Sequence, residues 1–181
     1  REIKIHVKQD KLIDRVGKDR NALIKDLLNE GYWTNDKMNK NKITFNAVVG
    51  NPPYQETSNV NNRQNPIYHH FYDLAESLSD LYTLISTARF LFNAGLTPAI
   101  WNQKMLNDKH LKIVYFNQDA TICFPNTDIK GGITITMHNK NVNYGAIKKF
   151  IPNDVLRGIA TKFVQDSENN LSKIVFSGRS D

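Results

Sequence analysis

The chain has 181 residues, with 24 Lys and Arg against 18 Asp and Glu, a net charge of +6 and a pI near 9.3. Its 40% hydrophobic and 23% charged residues are ordinary for one globular domain, which excludes a collagen-like, disulfide-scaffold or wholly disordered chain. The lone Cys123 cannot form an internal disulfide and no apolar run approaches the roughly 18 residues of a membrane helix, so a soluble cytoplasmic protein is expected, with no membrane partner.

In chain order, Ile3, Ile5 and Val7 alternate like a short strand, and Leu23, Ile24, Leu27 and Leu28 recur at helical spacing across residues 19–30, with Gly31 as a stop. Residues 32–42 read as a loop. Residues 43–50 (ITFNAVVG) are short and β-branched and run into the turn signal Gly50-Asn51-Pro52-Pro53, so they read as a strand. Residues 55–65 are polar and read as a mobile loop. Asn65-Pro66 has the form of a cap followed by proline at the first helical position, and Ile67, Phe71, Leu74, Ala75 and Leu78 form an apolar stripe to about Ser79. Residues 81–86 (LYTLIS) are a second strand, and Thr97-Pro98 opens a helix to about Leu106. Residues 111–117 and 133–138 are further strands, 144–151 a fifth, and Pro152 opens a last helix marked by Val155, Ile159 and Phe163.

Strand, helix, strand, helix, strand predicts an α/β fold with a mostly parallel sheet. The connection between 111–117 and 133–138 holds no helical stripe, so those two strands are expected as a C-terminal antiparallel hairpin at one edge. Charge is uneven. Residues 1–42 carry 11 basic and 7 acidic side chains, 43–100 carry 2 and 4, 101–150 carry 7 and 3, and 151–181 carry 4 of each. Basic blocks flanking an acidic centre suit a polyanion, although solvated lysines are the simpler account.

In an open α/β sheet, ligands sit beyond the carboxyl ends of the strands, which is where Asn51-Pro52-Pro53-Tyr54 falls. Two prolines fix φ and remove two donors, so the corner holds its acceptors rigidly. The Asn51 side-chain oxygen and the Pro52 carbonyl could accept both N–H bonds of an amino group, leaving its lone pair for an electrophile, and Tyr54 offers a flat face for a planar substrate.

This tetrapeptide after Val48-Val49-Gly50 resembles the catalytic motif of S-adenosylmethionine-dependent amino-methyltransferases, in particular DNA N6-adenine methyltransferases. The segments Ile67–Ala75, Ser86–Gly95 and Phe124–Gly132 are similar to the bacterial restriction-modification branch of that family. The resemblance runs from about residue 43 to about 150. It implies a partial Rossmann-like methyltransferase sheet with helices on both faces, catalytic roles for Asn51, Pro52, Pro53 and Tyr54, and a sandwich of a flipped adenine between Tyr54 and Phe124. It also implies double-stranded DNA as partner and S-adenosylmethionine as cofactor, without a metal for methyl transfer. Lys130 and Arg63 are the candidate phosphate contacts, with Lys104, Lys148 and Lys149 as weaker ones.

Other features carry less. Gly131-Gly132 precedes a strand and not a helix, so it reads as a tight turn or bulge and not a phosphate cradle. His69-His70 has no partner spacing for a metal, and Cys123 reads as a small buried hydrophobe.

Residues 1–42 contain no Gly-rich turn between a strand and a helix and are too short for the three cofactor-binding strands of the family. With Arg1 in place of an initiating Met, they suggest a piece of a longer protein that keeps the base-binding half and shows no turnover alone. The organisation is then 1–42 as a basic N-terminal segment, 43–151 as the target-base half, and 152–181 as a C-terminal helix and tail. An exposed sheet edge would permit a homo-oligomer. Two other readings stay open: a protein glutamine N-methyltransferase sharing the tetrapeptide, and a non-catalytic nucleic-acid-binding module.

Overall fold

A computed structural model describes residues 44–57, 64–127 and 129–163, together with Lys25 and Leu27–Asn29. Two compact units are present, Arg1–Lys148 and Lys149–Asp181. In the first, β1 (Val48–Gly50), β4 (Leu81–Thr87), β5 (Leu111–Asn117) and β6 (Ile133–Asn139) form one sheet in the order β1-β4-β6-β5, while β2 (Gln55–Thr57) and β3 (Gln64–Pro66) form a separate ribbon. Helices α1 (Tyr68–Leu78) and α2 (Ala99–Asn107) belong to the same unit. The second unit is described by α3 (Asp154–Phe163). No described helix is long and apolar enough to cross a membrane.

The mostly parallel sheet expected from the sequence is not what forms. β1 pairs with β4 in parallel, but β6 is antiparallel to both β4 and β5, so the sheet is mixed. The reason lies in the connection from 118 to 132, which holds only a 3-10 turn at Ala120–Ile122 and cannot cross over as a helix would. The chain reverses, and β6 inserts between β4 and β5. The hairpin is therefore present, with β5 and not the reversed strand on the sheet's edge.

Packing explains which residues sit where. On β4, Tyr82, Leu84 and Ser86 are buried while Leu81, Thr83 and Ile85 are half-buried, as alternation across a sheet requires. On α1, Tyr68, Tyr72, Ala75 and Leu78 recur every three or four positions and are all buried. Tyr72 bridges helix to sheet, its hydroxyl lying 2.9 Å from both Ser86 Oγ on β4 and Thr136 Oγ1 on β6. Around it Tyr68, Phe90 and Trp101 meet at centroid distances of 5.4–6.4 Å, mostly edge to face. Each such pair adds about 0.5–1.5 kcal/mol beyond its buried area. These contacts put α1 and α2 on one face of the sheet.

Several boundaries move. The first strand starts at Val48, not Ile43. Residues 55–57, 64 and 65, expected as loop, form strands together with Pro66, which was expected to open the helix; Gln55 pairs with Pro66 and Glu56 with Asn65. Pro66 therefore ends a strand, Asn65 is not the cap, and α1 starts two residues later after Ile67, with no side-chain cap. Residues 144–151 form no strand: Gly145 and Lys148 adopt left-handed φ values of 83° and 56°, and the segment is tied down by Tyr144 N–H to Lys109 O and Lys148 N–H to Leu106 O, each 2.7 Å. Lys25, Leu27 and Leu28 are helical within the expected 19–30 helix. The expected strand at 3–7 and loop at 32–42 lie outside the described residues.

Candidate active site

The Asn51–Tyr54 corner follows β1 directly. β1 pairs with β4 through Val48–Tyr82, Val49–Thr83 and Gly50–Leu84, which sets the corner beside the carboxyl end of β4. Pro52 is buried and Asn51 exposed, so the first proline anchors the turn while the amide faces solvent. The far end of the corner is tied by the Ile67 N–H donating to Tyr54 O at 3.1 Å, immediately before α1.

Within the corner the Tyr54 hydroxyl donates to Asn51 Oδ1 at 2.8 Å. This bond fixes the Asn51 amide with its oxygen as acceptor, and a carbonyl oxygen has a second lone pair for another donor. Partial burial, with smaller contributions from Tyr72 and Cys123, pushes the Tyr54 pKa up to about 12, so the hydroxyl stays a donor at neutral pH.

Phe124 is half-buried in the β5–β6 connection, where its N–H donates to Ala120 O at 2.9 Å and its carbonyl accepts from Thr127 Oγ1 at 2.6 Å. Among the described residues Tyr54 and Phe124 make no ring contact. Cys123 is half-buried, its Sγ 3.9 Å from Tyr115 Oη.

Gly131 and Gly132 have φ values of 90° and 78°, and a Cβ at Gly132 would lie 2.3 Å from Asn117 O. They form the tight turn read from the sequence. Lys130 is exposed, its carbonyl accepting the Arg89 Nε–H at 2.7 Å. Lys104 is engaged by Asp73 at 3.0 Å and Glu76 at 2.6 Å on α1. Arg63 lies outside the described residues. The His69 and His70 ring centroids lie 3.9 Å apart with the rings tilted by 37°, and among the described residues no group of three or more His, Cys, Asp or Glu side chains could hold a metal.

Sequence reasoning missed a cleft adjoining the corner. It is small, open to solvent and walled by Tyr54, Tyr68, Thr87, Arg89, Leu96 and Thr97. Arg89 follows β4 in the 3-10 segment Ala88–Phe92, with its aliphatic part against Gly95 and Gly131. A signal was available: residues 43–100 hold only two basic side chains, and Arg89 is one.

The Eco57I restriction-modification methylase profile matches residues 2–124, more than half of the chain. The chain belongs to that family. The match takes in residues 2–42, which the sequence pattern set apart, and its last position is Phe124, so family membership rests on the stretch carrying the corner, α1, β4 and α2. A protein of Mycoplasma pneumoniae (strain ATCC 29342 / M129 / Subtype 1), described as an uncharacterized adenine-specific methylase, is 28% identical over 116 residues, 62% of this chain and 27% of that protein. The matched stretch thus spans about a quarter of that relative's length. No solved structure matches the chain.

Proposed function

We propose that this methylase-family chain takes part in N6-methylation of adenine in double-stranded DNA, with Asn51–Tyr54 holding the target amine. The observation that carries the reading is the Tyr54–Asn51 hydrogen bond, which presents an oriented amide oxygen at the carboxyl end of a strand. One amine N–H would go to Asn51 Oδ1 and the other to the Pro52 carbonyl, drawing the nitrogen lone pair out of the ring and toward an electrophile. The adenine must leave the duplex to reach this corner, and the Tyr54 and Phe124 rings are its proposed stacking partners.

S-adenosylmethionine is the proposed methyl donor. The described residues do not form a cradle for it: none of the left-handed glycines, Gly95, Gly131, Gly132 and Gly145, makes a Gly-rich turn running from a strand directly into an α-helix. The reading for the described residues is accordingly a site for the acceptor base. Lys130 and Arg63 remain proposed phosphate contacts, and the edge strand β1, with Val49 80% exposed, is the proposed route to a homo-oligomer.

The test compares two duplexes that differ only in the amine. One carries adenine opposite an abasic site and the other carries purine, which has the same ring without the exocyclic group. The full chain should bind the adenine duplex several-fold more tightly, and Asn51→Ala should abolish that preference with the purine affinity unchanged. Equal affinity of the parent for both duplexes would sink the reading.

A further inference from the structure

The β2–β3 ribbon is rooted on the corner at both ends. Gln55 follows Tyr54 without a break, and Ile67, the residue after β3, donates its N–H to Tyr54 O at 3.1 Å. Among the described residues the two strands pair only with each other. They read Gln-Glu-Thr and Gln-Asn-Pro, without one large apolar side chain. A two-stranded ribbon lacking an apolar face is marginal in water, and Glu, Asn and Pro are depleted in strands. Neither core burial nor strand propensity therefore accounts for it, whereas a polar surface met by the ribbon does.

The register sorts its residues. Gln55 and Pro66 lie opposite each other, and both line the cleft beside Tyr54. The next pair, Glu56 and Asn65, then shares the ribbon's other face. Asn65 is exposed, and its amide has no hydrogen-bond partner among the described residues. An amide sets a donor beside an acceptor, the complement of the N7 acceptor and N6 donor that adenine shows in the major groove. That groove, about 12 Å wide, admits a two-stranded ribbon, and the minor groove, about 6 Å wide, displays no such pattern.

We propose that the β2–β3 ribbon enters the major groove next to the target nucleotide and that Asn65 determines specificity by reading an adenine within three base pairs of it. The inference rests on the adenine-methylation reading. It adds a preference for flanking sequence that Asn51, which meets the target amine alone, does not supply.

The test uses the full chain and a pool of duplexes with the target adenine opposite an abasic site and three base pairs on each side randomised. Sequencing the bound fraction reads the preference at every flanking position. The parent should enrich adenine about tenfold at one of them, as one bidentate amide contact supplies. Replacing that adenine by 7-deazaadenine, which lacks the N7 acceptor, should weaken binding of the parent by a similar factor. Asn65→Ala should level the position and bind the adenine and 7-deazaadenine duplexes equally, with Tm and the adenine-over-purine preference at the target unchanged. Asn65→Asp exchanges the amide donor for an acceptor and should move the preference to cytosine, whose N4 donates.

A parent that prefers adenine to purine at the target yet shows a flat flanking profile overturns the ribbon's role alone. So does an Asn65→Ala protein whose profile matches the parent's. Asn51→Ala should lose the target preference and keep the flanking profile, so the two readings fail separately.

Discussion

The proposed function gives the Tyr54 side chain two tasks, which its hydroxyl separates. Its ring offers a stacking face, while its O–H orients Asn51 across 2.8 Å. Tyr54→Phe retains the first and loses the second. A neutral hydrogen bond contributes about 0.5–1.5 kcal/mol net, so the adenine-over-purine preference should drop roughly two- to tenfold with purine affinity unchanged. Binding isotherms on the two duplexes check this. His69 gives a pH prediction at the same scale. Burial, reinforced by His70 and opposed by Asp73, lowers its pKa to about 4 from 6.5. The unfolded chain therefore takes up a proton below about pH 6.5 that the folded chain refuses until about pH 4, and stability must fall as pH drops through that window. Tm measured from pH 7 to pH 4.5 should decline, and His69→Gln should decline less.

At the scale of elements, the β4–β6 pairing and the α1 face share one residue. Tyr72→Phe leaves Ser86 Oγ and Thr136 Oγ1 without their common partner in the interior, which should cost about 1–3 kcal/mol in chemical denaturation. Gly132→Ala meets both a left-handed φ of 78° and the Asn117 carbonyl. A loss of about 2–4 kcal/mol is expected, read as a lower urea midpoint. What the sequence revealed of these elements follows from how local each signal is. The strands at 111–117 and 133–138, the latter one residue longer in the fold, were legible because β-branched runs bounded by turn residues need no partner to identify them. The corner was legible because two prolines and an asparagine carry their geometry with them. The ribbon of β2 and β3 was not, since its polar residues have no periodicity and its pairing depends on the ends meeting across residues 58–63. Asn65-Pro66 misled for the same reason: a dipeptide suited to a helix start was taken up by a strand. The cleft was invisible because Tyr54, Tyr68, Arg89 and Thr97 converge from separate segments.

For the whole molecule, charge and recognition should separate by salt. A net charge of +6, placed mainly in residues 1–42 and 101–150, favours any polyanion by counterion release, with log affinity falling about 0.9 for each neutralised phosphate per decade of salt. On the proposed reading, the preference for adenine over purine rests on neutral hydrogen bonds at Asn51 and Pro52 and has no such term. Raising sodium chloride from 50 to 200 mM (about fourfold) should weaken both duplexes steeply and equally, leaving their affinity ratio within about twofold. A ratio that collapses with salt would show that the discrimination is electrostatic.

The position of β6 between β4 and β5 has a consequence for synthesis. Because β6 comes last among the strands of the sheet, the backbone groups along β4 and β5 that it will pair stay open until residue 139 has been made. The Asn51–Tyr54 corner is translated some eighty residues earlier, yet the sheet supporting it closes only when this late wedge arrives. A nascent chain halted in the Gly131-Gly132 turn would carry the motif on unzipped strands, and its hazard on the ribosome is clumping with its neighbours before it ever meets DNA.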